Sequence, residues 1–151
     1  MIQRKQTLYL FLAAILSLAC LFIPLGKQIP EGMGLPAVLY NIGIKNPQGA
    51  INFIASPLFV LLATSVLLAV YAIFQFRKRM FQAKLCLMNI CIYVVWCAYF
   101  AFVVASQMMA SGNFKANIGV CMPLLALIFT VMARRGVLAD EKLVKSMDRI
   151  R

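Results

Sequence analysis

Leu85 to Ser106 reads LCLMNICIYVVWCAYFAFVVAS, twenty-two residues without a single Asp, Glu, Lys or Arg. At about 1.5 Å per residue, a helix of that length can cross a hydrocarbon layer of about 30 Å. A helix apolar on all sides must be enclosed by a large protein core or by lipid. A chain of 151 residues cannot build the former around it, so lipid is the solvent this stretch selects.

Three more such stretches flank it: Leu8 to Leu25, Pro57 to Phe76 and Ile118 to Ala133. Ser56 can cap the second, and Pro57 falls at its first helical position, where a missing N–H costs nothing. The fourth is the shortest. Its Pro123 removes the backbone bond to Gly119 and predicts a bent entry turn, and the span can be lengthened backward through Phe114. Composition agrees: 64 % of residues are hydrophobic and 13 % charged, against about 25 % charged in soluble domains. The sequence predicts an all-α fold, an integral membrane four-helix bundle forming one domain over residues 1–151.

Arg4 and Lys5 ahead of the first span, with Ser17-Leu18-Ala19-Cys20 inside it, raise the alternative of a cleaved lipoprotein signal. Ser17 stands where an aliphatic residue is needed, and Leu21-Phe22-Ile23 continues the apolar run. The segment is therefore read as a retained span.

Charge sets the orientation. Two cations precede the first span, four lie between the second and third (Arg77, Lys78, Arg79, Lys84) and six lie in the tail 134–151, whereas the other two connections carry Lys27, Lys45 and Lys115. By the positive-inside rule both termini face the cytoplasm, as in a multi-pass protein of the bacterial inner membrane. The net charge of +11 is thus topological. Nucleic acid is not an expected partner, because the basic residues are not interleaved with aromatics on a folded domain. The lipid bilayer is expected instead, with Arg77, Lys78, Arg79, Arg134 and Arg135 as candidate headgroup contacts.

The long outer loop between the first two helices, Gly26 to Asn52, mixes turn formers with a short apolar stretch, Ala37 to Ile44. That stretch packs over the bundle, forms a strand or lies at the interface, so the loop is either a lid or a partner surface, and the lid is favoured. After Arg134-Arg135-Gly136, the residues Leu143, Val144, Met147 and Ile150 recur at helical spacing. With Asp140 as cap and Glu141 one turn before Lys145, they predict a short amphipathic C-terminal helix. Such a helix needs a surface: the leaflet, the base of the bundle, or a partner.

Chemical equipment is sparse. The chain has no histidine, and no acid or base lies inside a span, which disfavours haem, zinc, general-base catalysis and proton coupling. The five cysteines, Cys20, Cys86, Cys91, Cys97 and Cys121, include no Cys-x-x-Cys pair. No catalytic, cofactor or metal site is expected. Small residues four apart (Ala13 and Ser17, Ser65 and Ala69, Ala126 and Thr130, Cys97 with Ala101 and Ala105) predict close helix contacts, and Asn89 and Thr64 are candidate interhelical hydrogen bonders.

Met1-Ile2-Gln3-Arg4-Lys5-Gln6-Thr7-Leu8-Tyr9-Leu10, Ala13-Ala14-Ile15 and the closing Asp140-Glu141-Lys142-Leu143-Val144-Lys145-Ser146 with Asp148-Arg149-Ile150-Arg151 resemble a four-span membrane family of Bacteroidota catalogued as a domain of unknown function. The resemblance implies an inner-membrane protein with both ends inside, and no activity. The favoured reading is a non-catalytic accessory or scaffold subunit, with a membrane-complex partner at the outer loop or the C-terminal helix. A small transporter or channel is the alternative, ahead of a membrane-embedded enzyme, and oligomeric state is left open.

Overall fold

The computed structural model describes residues 3–29, 35–75, 78–109 and 113–148. Four helices dominate: α1 (Gln3–Phe22), α2 (Ser56–Phe74), α3 (Arg79–Val103) and α4 (Cys121–Asp148). Three segments, Phe53–Phe74, Arg79–Gln107 and Ile118–Val144, are long and apolar enough to cross a membrane, and a shorter apolar helix covers Gln6–Phe22. The fold is mostly helical but not all-α.

The helices pack so that α1 and α3 each touch both α2 and α4. Alternation in sequence explains the arrangement. Along α1, Leu10, Ala13, Ser17 and Cys20 are buried, while Leu8, Phe11, Ile15, Leu18 and Phe22 are exposed. Both sets step by three or four residues, the spacing of one helix face. The buried face is small and the exposed face large and apolar, the reverse of what water would select and suited to lipid outside with close helix contact inside. The interior divides into three tiers. Leu10, Ala72, Leu85, Cys86 and Ala133 fill one end. Ala13, Tyr93 and Ala126 form the middle. Cys20, Leu58, Leu62, Trp96 and Val103 fill the other end, against the inner face of a sheet.

That sheet is the main departure from expectation. Four strands, β1 (Gly26–Ile29), β2 (Ala37–Leu39), β3 (Ile44–Lys45) and β4 (Ile51–Asn52), come from the α1–α2 connection, and β5 (Asn113–Ala116) comes from the α3–α4 connection. The order is β4-β3-β2-β1-β5, antiparallel throughout. Gly49, at φ 85°, turns β3 into β4, a conformation that favours glycine. Leu39 and Ile44 point into the core, and Phe114 meets the Phe100 ring of α3 at 6.2 Å between centroids. The long connection is thus a lid in shape, built by strand pairing, and Phe114 belongs to β5 rather than to a lengthened fourth span.

Two further expectations change. The tail is no separate short helix, because α4 continues through Arg134-Arg135-Gly136 to Asp148. One glycine costs a helix about 1 kcal/mol and no proline follows it, so nothing forces a stop. Asp140 is accordingly mid-helix and caps nothing. The entry to the fourth span is a single 3-10 turn, Ile118–Val120, and α4 proper begins at Cys121, two residues before Pro123, where proline removes no needed donor. Gly119 serves a different purpose. In the single turn Ile118–Val120 it lets the backbone approach Pro24, whose carbonyl oxygen would lie 2.7 Å from an added Cβ.

Candidate functional site

The open end of the molecule, opposite the sheet, brings together two groups of residues far apart in sequence. Lys78, Arg79, Met80, Phe81 and Lys84 from the start of α3 and Glu141 and Val144 from the end of α4 line a cleft of about 620 Å³. Its position follows from local chemistry. Lys78 donates its backbone N–H to the Gln75 carbonyl at 3.1 Å, which holds the start of α3 against the end of α2. Gln82, buried, donates its side-chain amide to the Ala72 carbonyl at 3.0 Å and ties the first turn of α3 to the last turn of α2. Tyr71 meets Phe81 edge-on at 6.4 Å. On the far side, Gln6 of α1 donates to the Asp140 carboxylate, which fixes the height of α4 so that Glu141 and Val144 face the cleft.

Three cations, Lys78, Arg79 and Lys84, line this cleft, and Glu141 is the one acid among its lining residues. Met80 is 48 % exposed, Phe81 42 %, Leu143 55 % and Val144 39 %. The chemistry suits an anionic group carried on an apolar body.

Of the residues singled out as headgroup contacts, Lys78 and Arg79 line this cleft, and Arg135 is exposed. Arg134 is different: it is half-buried, acts electrostatically on Cys86 in the interior, and its Nε is enclosed without a hydrogen-bond partner. Arg77 and Ile150 lie outside the described residues, as does Phe76, the expected end of the second span. Met147 lies on α4, and Leu143 and Val144 occupy its exposed surface.

The interhelical polar contacts fall elsewhere than expected. Thr64 is exposed and donates to the Val60 carbonyl of its own helix at 2.8 Å. Asn89 is buried, but neither atom of its amide has a hydrogen-bond partner. In the middle tier the bond between helices is Tyr93 to Ser17, 2.6 Å between oxygens. Ser17 already spends its one hydrogen on the Ala13 carbonyl at 2.9 Å, so Tyr93 is the donor. Ser65, Asn89 and Thr130 surround the same phenol. Ser65 Oγ, like the Asn89 amide, reaches no bonding geometry, and Thr130 turns back to the Ala126 carbonyl at 2.8 Å. Every helix therefore contributes a polar side chain to one buried layer.

Sequence reading also passed over Asn41. This residue of the β2–β3 turn is wholly buried, donates to the Cys20 carbonyl at 2.7 Å and accepts from the Trp96 indole at 3.3 Å. An asparagine inside the apolar stretch Ala37 to Ile44, in a chain with one tryptophan needing an acceptor, was the available signal.

A family model described as a domain of unknown function (DUF4293) matches residues 2–150. No curated protein matches the chain.

Proposed function

We propose that this chain, which belongs to the DUF4293 family, is a non-catalytic accessory or scaffold subunit that holds a partner at the cleft between the start of α3 and the end of α4. In this reading it is a multi-pass protein of the bacterial inner membrane, α1 crosses with the other three helices, and the open end with both termini faces the cytoplasm. The count of cations supports that orientation. One observation carries the partner reading: Val144 stays exposed on α4 in the cleft it lines with Lys78, Arg79 and Lys84, and Leu143, its neighbour in sequence, is exposed as well. Apolar side chains among cations fit a segment that is apolar with acidic flanks.

The test is to tag the protein after Arg151 in its native host, extract it in mild detergent and weigh what co-purifies. A near-stoichiometric partner that is lost with Leu143→Asp or Val144→Asp, and kept when all five cysteines are changed to alanine, supports the reading. Isolation without a partner, or a partner indifferent to those changes, overturns it.

The buried layer around Tyr93 favours a second reading, a small transporter or channel, because polar groups inside a membrane protein commonly line a path. Flux through reconstituted protein that vanishes with Asn89→Leu or Tyr93→Phe would select it.

A further inference from the structure

The three cations outside the cytoplasmic clusters, Lys27, Lys45 and Lys115, are scattered over 89 positions of sequence, yet the sheet assembles them. Lys27 of β1 pairs directly with Lys115 of β5 on one side and with Val38 of β2 on the other, and Val38 pairs with Lys45 of β3. Paired residues of antiparallel strands share a face. All three lysines therefore stand in one row on the face turned away from the helices, and all three are exposed. The opposite face carries Leu39 and Ile44 into the core.

Like charges directly opposite one another destabilise a sheet. Lys27 and Lys115 belong to strands about 4.8 Å apart, so their ammonium groups share one small volume. They also line a cleft of about 460 Å³ with Ile29, Pro36, Ala116 and Asn117. Two cations over a largely apolar floor suit an amphiphilic anion. The cleft has a second neighbour. Asn117 accepts from the Ile118 N–H at 2.9 Å and turns β5 toward α4. Ile118 is 66 % exposed, and Leu125 and Ile128 carry the exposed apolar strip on down α4. The cleft sits where a charged sheet edge meets a lipid-facing helix.

We propose that Lys27 and Lys115 form a site for the phosphate of an anionic phospholipid in the leaflet at the sheet end, with its acyl chain lying along Ile118, Leu125 and Ile128. Ammonium groups bind phosphate as point charges. A net negative headgroup relieves the repulsion between the two lysines, and a zwitterionic one brings its own cation and relieves less. Lys45, one strand further from Lys27 than Val38, is in the row but not in the cleft.

Full-length protein in nanodiscs tests this with two photoreactive lipids, phosphatidylglycerol and phosphatidylcholine, each carrying a diazirine near the headgroup, followed by peptide mapping. Labelling of residues 26–29 and 113–117 should be about tenfold stronger with phosphatidylglycerol, as two surface cations allow. It should fall to the phosphatidylcholine level in Lys27→Gln/Lys115→Gln, and persist in Lys27→Arg/Lys115→Arg, in Lys45→Gln and in Lys78→Gln/Arg79→Gln. The glutamine pair removes a repulsion, so the variant should melt no lower than the parent. If it does, the arginine pair against the parent still decides, because loss of labelling with charge retained would overturn the proposal. Equal labelling by both lipids, labelling that survives the glutamine pair, or displacement of the lipid by millimolar inorganic phosphate would each overturn it too, the last by pointing to a soluble ligand.

Discussion

Replacing Asn89 by leucine should make the protein more stable. Asn89 is 1 % exposed, and neither its amide nitrogen nor its amide oxygen has a partner. An enclosed polar group without a hydrogen bond costs about 1–3 kcal/mol by mutational measures. Leucine has the same branched outline and no polar atom, but its two methyl groups are bulkier than the amide, so the expected gain is at most about 1–3 kcal/mol, reduced by whatever overpacking costs. Tyr93→Phe is the comparison, since it removes a bond that is made. Its expected loss is about 0.6 kcal/mol, the average for interhelical bonds in membranes. Reversible unfolding of the detergent-solubilised protein in rising dodecyl sulfate gives both numbers and their coupling. A loss of more than about 1 kcal/mol in Asn89→Leu would refute the argument. So would a coupling above about 1 kcal/mol in the double variant, because Asn89 would then be bonded to the phenol. If stability rises while a transport activity falls, the amide is retained for function at a cost to the fold, as functional sites often are.

Three other substitutions probe separate parts of the same argument. Asn41→Ala leaves the Trp96 indole and the Cys20 carbonyl without partners inside the protein and should cost about 2–4 kcal/mol, with the α1–α2 connection becoming sensitive to protease in detergent. Gly119→Ala puts a methyl group 2.7 Å from the Pro24 carbonyl oxygen, a backbone atom that cannot swing aside, and a loss of about 1–3 kcal/mol is expected in the same unfolding titration. Thr64→Val removes a hydroxyl that is exposed and bonded only to its own helix, so stability should change by less than about 0.5 kcal/mol. A larger drop there would show that Thr64 meets another helix.

Spacing within a helix was legible, and what lies across from it was not. Ala13 with Ser17, Ser65 with Ala69, and Ala126 with Thr130 are small residues four apart, and the structure buries every one of them. Cys97, Ala101 and Ala105 show the same spacing, yet Ala101 and Ala105 are exposed. In α3 the inward face is Gln82, Cys86, Asn89, Tyr93 and Trp96, because large side chains there fill the space that small ones on α1, α2 and α4 leave. A stripe identifies a face only once its neighbour is known. The sheet was hidden for a related reason. Its strands run two to four residues, too short to show a period, and β5 finds its partner β1 more than eighty residues back along the chain. The cleft joining Lys78 and Arg79 to Val144 depends on α4 not stopping at Gly136, a choice local propensity leaves nearly balanced.

The seam between α1 and α4 is fastened very differently at its two ends. At the sheet end, β1 and β5 are zipped by a four-residue backbone ladder, and the Asn117 N–H adds a bond to the Leu25 carbonyl at 2.8 Å. Toward the other end a side-chain contact, Gln6 to Asp140, joins the two helices. A backbone ladder breaks as a unit and side-chain contacts break singly, so opening from the Gln6 end about the strands is the expected motion, and amide exchange faster in the first turns of α1 than in β1 would show it. Over a lever of about 30 Å, a rotation of only about 10° opens the far end by about 5 Å, room enough for another helix's side chains to enter.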